Sequence, residues 1–190
     1  MSVPGSFEYG YLYNWKAVMG NQGSSQANPS GVQGICPNGW HVPSDAEWNE
    51  LEDYVSNHPS QYFSNSCQSV AKALASTTDW SSYSTGSCLV GNNTSLNNTT
   101  GFNALPAGYY YDSYSGNSST GVAYYSSSPS VGQSAGFWSC TYAGGWWGRT
   151  IDYNSSAFER KSFRSYRDYY SISQGYRYFH DFLSVRCLRD

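Results

Sequence analysis

The stretch CPNGWHVPSDAEWNELEDYVSNHP, residues 36–59, decides the fold class. Ser44 and Glu47 stand at the spacing of a capping box, in which each side chain accepts a hydrogen bond from the other residue's backbone N–H. Apolar residues then recur at helical spacing, at Trp48, Leu51 and Val55. The pattern predicts a helix that begins after Ser44 and ends near Asn57, before a proline.

Outward from this helix, the chain alternates between short apolar segments and polar loops. Residues 67–76 keep helical spacing through Val70, Ala71 and Leu74, and predict a second, shorter helix. Strand and turn patterns are predicted for residues 9–15, 101–112, 134–153 and 183–190. Two helices in the first half followed by short strands indicate an α+β fold, with antiparallel strands and a large irregular loop region. We expect one domain over residues 1–190.

The composition restricts the functional class. Charged residues make up 12% of the 190 residues and aromatic residues 18%, which suits a loop-rich extracellular fold better than a helical cytosolic enzyme. No stretch of about 20 apolar residues is present, so no membrane span is expected. Basic residues concentrate in 149–190, where eight Lys and Arg face five Asp and Glu. This local excess is weak for phosphate binding, so a nucleic-acid partner is not expected.

Five cysteines are present, at Cys36, Cys67, Cys88, Cys140 and Cys187. Their spacing contains no C-x-x-C pair and no Cys/His pattern of a zinc site, so disulfides are the favoured interpretation and no metal site is predicted. Choosing one free thiol and pairing the other four allows about fifteen arrangements, and residue order alone does not select among them. Disulfides favour an extracytoplasmic location.

Several blocks, taken in order, resemble the Fibrobacter succinogenes major paralogous domain, whose members have or are expected to have a C-type-lectin-like fold. The blocks are YLYNW (11–15), CPNGWHVPSDAEWNEL (36–51), AKALAS (71–76), GFNALPAG (101–108), GFWSCT (136–141) and SVRCLRD (184–190). The resemblance implies that the first and last strands pair, and that the main helix lies beneath a long irregular loop region.

The resemblance also implies a disulfide arrangement. It pairs Cys36 with Cys187 and Cys67 with Cys88, and leaves Cys140 as a free thiol. In the chain-entropy model, closing a loop as long as that from Cys36 to Cys187 stabilises the fold by on the order of 4 kcal/mol or more.

Residues 160–182, RKSFRSYRDYYSISQGYRYFHDF, have no steady period of two or of 3.6. A lectin-like protein with such an ending resembles the variable proteins of diversity-generating retroelements, in which adenines of selected codons are randomised. The residues that AAC or AAT codons yield in this way account for the whole stretch except Lys161 and Gln174. The family has Ser at the position of Cys140. A randomised codon of this kind can encode Cys, which would explain the difference.

The resemblance and the residue types together predict a recognition face over about 140–182. Tyr and Arg supply large, stiff and hydrogen-bonding contact area, while Ser and Gly let a surface adapt. The predicted ligand-binding residues are Tyr142, Trp146, Trp147, Arg164, Tyr166, Arg167, Asp168, Tyr169, Tyr170, Tyr176, Tyr178, Phe179 and His180. The retroelement hypothesis predicts that Trp146, Trp147, Glu159, Lys161 and Gln174 are fixed scaffold, whereas Tyr153, Phe158 and Phe182 are predicted to be core.

The ligand is expected to be a protein or a glycan on a cell or phage-host surface. The competing hypothesis is a fixed carbohydrate-binding module, with Trp146 and Trp147 as stacking platforms. No enzyme is predicted: no catalytic motif is present, His41 is interpreted as structural, and no cofactor is expected. The pair of C-terminal cysteines used by the related formylglycine-generating enzymes is not favoured here, because Cys187 is assigned to a disulfide. The Asn-rich run 92–98 has too few carboxylates for calcium.

Overall fold

The computed structural model describes residues 2–4, 9–64, 67–117, 121–127, 131–163 and 181–190. Short helices precede most of the strands, and all strand pairs among the named strands are antiparallel, as an α+β fold requires. The helices are α1 (Trp15–Met19), α2 (Asp45–Asn57), α3 (Pro59–Tyr62) and α4 (Val70–Leu74), with a 3-10 turn at Thr94–Leu96. The strands are β1 (Ser2–Pro4), β2 (Tyr11–Tyr13), β3 (Trp40–His41), β4 (Tyr111–Asn117), β5 (Gly121–Ser127), β6 (Ser134–Tyr142), β7 (Trp146–Asp152), β8 (Glu159–Phe163) and β9 (Leu188–Arg189).

Helix α2 begins with the predicted capping box. Ser44 Oγ accepts a hydrogen bond from Glu47 N at 3.2 Å, and Glu47 Oε2 accepts one from Ser44 N at 2.8 Å. Trp48 and Val55 are buried, so the predicted apolar face of the helix lies in the core. The predicted start and end of this helix are confirmed.

The prediction of two helices was incomplete. The second helix is shorter than predicted and spans Val70–Leu74. Helix α1 replaces the end of the predicted strand 9–15, because Asn14 Oδ1 accepts a hydrogen bond from Ala17 N at 2.8 Å and caps a new helix. Helix α3 begins directly after α2 with Pro59 in its first turn, a position where the missing N–H of proline costs nothing.

Strands β6, β7 and β8 form a three-stranded antiparallel sheet in that order. Eight of the nine residues of β6 are buried, because core residues pack on both of its faces. Ala135 and Phe137 face one hydrophobic cluster, which also contains Trp48 and Ile151. Trp138 and Cys140 face the other, which contains Trp15, Val18 and Leu183. Strand β6 therefore separates two halves of the core.

The last strand was predicted too long. Within 183–190 only Leu188–Arg189 forms a strand, and it pairs with β3. Leu183 instead makes an isolated antiparallel bridge with Tyr13, with N–H···O distances of 2.8 and 3.1 Å in the two directions. The chain changes pairing partner between these points, so no continuous ladder can form. The first and last parts of the chain nevertheless pair, as the family resemblance implies.

The core residues Phe158 and Phe182 are buried, as predicted, and Tyr153 is half-buried. Disulfides join Cys36 to Cys187 and Cys67 to Cys88, the two pairs that the family resemblance implies. Cys140 is a free, buried thiol. Across the parts of the chain that the structure describes, no helix is long and apolar enough to cross a membrane.

Candidate functional site

The turn between β6 and β7 carries a stack of three aromatic rings. Gly144 in this turn has φ +69°, a left-handed conformation that favours glycine. The Tyr142 ring, 47% exposed, lies over Trp146 with ring centroids 4.4 Å apart. Trp146 in turn lies against buried Trp15, at 3.9 Å. The stack therefore runs from the core to the surface, and fixes the position of the exposed tyrosine.

Trp147, the next residue, is half-buried and engaged on one ring face. The guanidinium carbon of Arg160 lies 3.5 Å from the centre of the Trp147 ring, which is a cation–π contact. The indole Nε1 donates a hydrogen bond to Ala143 O at 3.2 Å. One face of this ring is thus covered by a side chain of the protein, and is closed to a ligand unless Arg160 moves.

Arg160, which lies over the Trp147 ring, is bound by Asp45 of α2. Arg160 Nε donates to Asp45 Oδ2 at 2.7 Å, and Arg149 Nη2 lies 3.2 Å from the other oxygen, Asp45 Oδ1. Arg149 has no solvent exposure and also donates to Asn49 Oδ1. Burial lowers the pKa of the Arg149 guanidinium, and the negative charges of Asp45 and Glu52 oppose this. One carboxylate therefore orders two arginines on neighbouring strands.

Sequence reasoning missed this network. The sequence around Asp45 indicates only an acid in the first turn of a helix, where negative charge is favourable, and Arg149 and Arg160 lie more than a hundred residues away in the chain. No local pattern signals such a contact. Trp15 as the base of the aromatic stack was missed for the same reason.

Strand β8 connects the aromatic turn to the predicted variable stretch. Trp146 pairs with Phe163 and Trp147 with Ser162 in the β7–β8 register, so β8 ends beside the stack. Phe163 is buried against Trp138 and Tyr109. Of the predicted ligand-binding residues, Tyr142, Trp146 and Trp147 come together here. The others lie outside the described residues: Arg164, Tyr166, Arg167, Asp168, Tyr169, Tyr170, Tyr176, Tyr178, Phe179 and His180.

Lys161, one of the residues predicted to be scaffold, reaches into the structure from β8. Its Nζ donates to the Tyr109 hydroxyl at 3.2 Å, and Tyr109 is buried. Glu159, also predicted to be scaffold, is exposed at the start of β8. Gln174, the third polar residue of this set, lies outside the described residues.

His41 bridges two carboxylates at the opposite end of α2 from Pro59. Its Nε2 lies 2.7 Å from Glu47 Oε1, and its Nδ1 lies 2.6 Å from Asp190 Oδ1. Burial lowers the pKa of His41, but the hydrogen bonds to Asp190 and Glu47 outweigh burial and raise that pKa above its ordinary value of 6.5. The ring links the main helix to the end of the chain, which is a structural arrangement.

Cys140 lacks the surroundings of a reactive thiol. It has no solvent exposure, and its Sγ lies 3.6 Å from Ser25 O. Burial raises the pKa of the thiol, so the protonated form is favoured at neutral pH. Among the described residues, no three His, Cys, Asp or Glu side chains form a group that could hold a metal ion.

Comparison with known proteins gives one positive result. Neither the search of curated proteins nor the search of solved structures found a match. The family model of the Fibrobacter succinogenes major domain matches residues 4–189, which is nearly the whole chain. The chain therefore belongs to the Fibrobacter succinogenes major domain family.

Proposed function

We propose that this protein is an extracytoplasmic, non-enzymatic binding domain with a C-type-lectin-like fold. Its recognition face comprises the aromatic turn at Tyr142–Trp147 and residues 164–180, and selected residues of the latter, Gln174 not among them, are diversified by a retroelement. The ligand is a protein or glycan of a cell or phage-host surface.

One observation carries the proposal: both ends of the 164–180 stretch are anchored in the same buried cluster. Phe163, which precedes the stretch, is 4% exposed, and Leu183, which follows it, has no exposure. A stretch whose sequence varies needs a scaffold that does not depend on it, and two fixed ends provide this. The same arrangement of a rigid framework and a Tyr-rich variable segment is used by antibody paratopes.

The exposed end of the aromatic stack supports the same assignment. Tyr142 presents nearly half of its surface beside the point where β8 ends, on a base formed by Trp146 and Trp15. A tyrosine that is already held in place loses little side-chain entropy when it binds a partner. It therefore suits the fixed part of a recognition face.

The alternative of a fixed sugar platform at Trp146 and Trp147 is less favoured. Trp146 lies between two other aromatic rings, and Arg160 covers one face of Trp147. A pyranose ring needs an open aromatic face for stacking, and these contacts compete with it.

The non-enzymatic assignment is supported by the state of the reactive groups. The buried Cys140 thiol favours its protonated form, and both ring nitrogens of His41 are engaged by carboxylates. The disulfides of Cys36, Cys187, Cys67 and Cys88 support the extracytoplasmic location, because such bonds persist in oxidising compartments.

The decisive experiment is to sequence the genomic DNA around this gene and around sister copies. We expect a near-copy of the 3′ end that differs almost only at adenines, next to a reverse transcriptase gene. Variation should fall on codons such as those of Tyr166 and Tyr178, while those of Trp147 and Lys161 stay fixed. If Tyr166 and Tyr178 are constant among sister genes and no repeat exists, diversification is wrong.

A further inference from the structure

Trp40 has the greatest solvent exposure of the seven tryptophans. It is 40% exposed in β3, while Trp146 and Trp147 are half-buried and the other four are buried. An exposed indole has two common explanations. The ring either contributes to a binding site or simply lies at the edge of the core. The surroundings of Trp40 distinguish these two cases.

Trp40 lines a groove between the loop 29–39 and the end of the chain. The groove has a volume of about 480 Å³, within the range of small-ligand sites. Its apolar surface comes from Trp40, Pro29 and Leu188, and its polar surface from Gln33, Arg189 and Asp190. We refer to it as the Trp40 groove.

The polar groups of the Trp40 groove include both donors and acceptors. Arg189 is in register with Trp40 across the β3–β9 pair and is exposed, so its guanidinium offers several N–H donors. The Asp190 side chain is 60% exposed although one oxygen contacts His41, which leaves acceptor capacity toward solvent. Gln33 adds an amide, whose Nε2 donates to Asn38 Oδ1 at 2.9 Å and to Cys36 O at 3.2 Å, so its Oε1 is the group available as an acceptor.

The walls of the groove are fixed before any ligand arrives. The Cys36–Cys187 disulfide joins the segments on either side, with Cα atoms 5.8 Å apart. Asp190 N donates to Gly39 O at 3.0 Å, and His41 holds the Asp190 carboxylate. A site that is ordered in advance loses less conformational entropy on binding.

We propose that the Trp40 groove binds a neutral, pyranose-containing glycan. The C–H face of a pyranose ring stacks on the open indole, while ring hydroxyls donate to Asp190 and to Gln33 Oε1 and accept from Arg189. Arg189 offers charged donors and Asp190 charged acceptors beside the Trp40 ring. This combination suits a ligand with many hydroxyl groups better than an apolar ligand.

The surrounding charge favours a neutral sugar over an anionic one. Two carboxylates line the groove, those of Glu47 and Asp190, against one arginine, Arg189. The carboxylates would repel a phosphate or sulfate group. The site is separate from the face that contains Tyr142 and does not depend on the proposed diversification.

The test is isothermal titration calorimetry of the full chain with neutral tetrasaccharides, namely those of cellulose, xylan, mannan and chitin. At least one should bind saturably to the unmodified protein. Trp40→Ala should weaken that binding by at least about tenfold, whereas Trp40→Phe, which keeps an aromatic face, should retain most of it. Tyr11→Ala, at an exposed aromatic residue outside both the Trp40 groove and the proposed recognition face, is the matched control and should bind as the unmodified protein does.

A second readout guards against a variant that fails to fold. Saturating sugar should protect one indole from quenching by acrylamide, and this protected signal should be missing from Trp40→Phe, whose thermal unfolding should be unchanged. The proposal is overturned if none of the four sugars binds, or if Trp40→Ala binds like the unmodified protein. An oligo-arginine peptide, titrated in the same way, tests whether the groove selects positive charge instead of a sugar. The proposal is also overturned if only this peptide binds. Each of these results leaves the diversification hypothesis, which is tested on DNA, unaffected.

Discussion

Arg149 Nη2 lies 3.2 Å from Asp45 Oδ1, and this ion pair ties the central strand β7 to the first turn of α2 in the interior of the protein. Arg149 has no solvent exposure, and its Nε and Nη1 have no hydrogen-bond partner among the described residues. The guanidinium therefore relies on direct contacts with Asp45 and Asn49, and on the nearby negative charge of Glu52, for compensation of its buried charge.

Asp45→Asn should be strongly destabilising, because it leaves the charge of Arg149 buried without the carboxylate that contacts it. We expect the free energy of unfolding to fall by about 3–5 kcal/mol, measured by chemical denaturation. Asp53→Asn, on the exposed side of the same helix, removes an equal charge. It should change the free energy of unfolding by less than about 0.5 kcal/mol. Equal effects of the two substitutions would contradict a structural role for the pair.

The His41 bridge makes stability depend on pH. Hydrogen bonds to Asp190 and Glu47 raise the pKa of folded His41 despite burial, so its contribution to stability is fully present below the pKa of the unfolded chain. That contribution is lost as pH rises through the folded-state pKa. The difference in unfolding free energy between the unmodified protein and His41→Gln should therefore be larger at about pH 5 than at about pH 8.5.

Asp190→Asn is the control for this pH dependence. It removes one of the two carboxylates that contact His41, so the pKa of His41 should fall, and NMR titration of the imidazole measures it directly. An unchanged pKa in Asp190→Asn would show that the contact does not control the titration.

The two disulfides should contribute unequally. Cys36 and Cys187 are 151 residues apart in sequence and Cys67 and Cys88 only 21, so the first closes a much longer loop. The chain-entropy model gives about 5 kcal/mol for the long loop and about 3 kcal/mol for the short one. Replacing each pair with serines and comparing denaturation midpoints checks the order. A larger loss for the Cys67/Cys88 variant would mean that native contacts, rather than loop closure, dominate.

The parts of the fold that were predictable from sequence are those specified locally. Helix α2 was predicted to within a residue because its cap, its apolar spacing and its end lie within 36–59. Helix α1 was not, because one Asn14 side chain outweighs the alternating pattern around it. The two disulfide pairs followed from the family resemblance and not from spacing.

The candidate site likewise contains a part that was predictable from the sequence and a part that was not. Residue types indicated that Tyr142, Trp146 and Trp147 belong to one face, and the structure places them together at one turn. The contacts that order this face, from Asp45 and Trp15, come from distant parts of the chain and have no local signature. The role of 164–180 stays a prediction.

Gly148 pairs with Trp138 between β6 and β7, at a position with no room for a side chain. A Cβ at this position would lie 2.7 Å from the carbonyl oxygen of Phe137 and 3.0 Å from Leu183, which belongs to the hydrophobic cluster beneath the proposed recognition face. Because a backbone carbonyl cannot rotate away as a flexible side chain does, Gly148→Ala should destabilise the protein by about 1–3 kcal/mol. Gly23→Ala is the control, since a Cβ there meets nothing within 4 Å, and it should be neutral or slightly stabilising. Thermal unfolding of the two variants decides the point: if both melt like the unmodified protein, β6 and β7 have room to separate and the base of the proposed recognition face is not rigid.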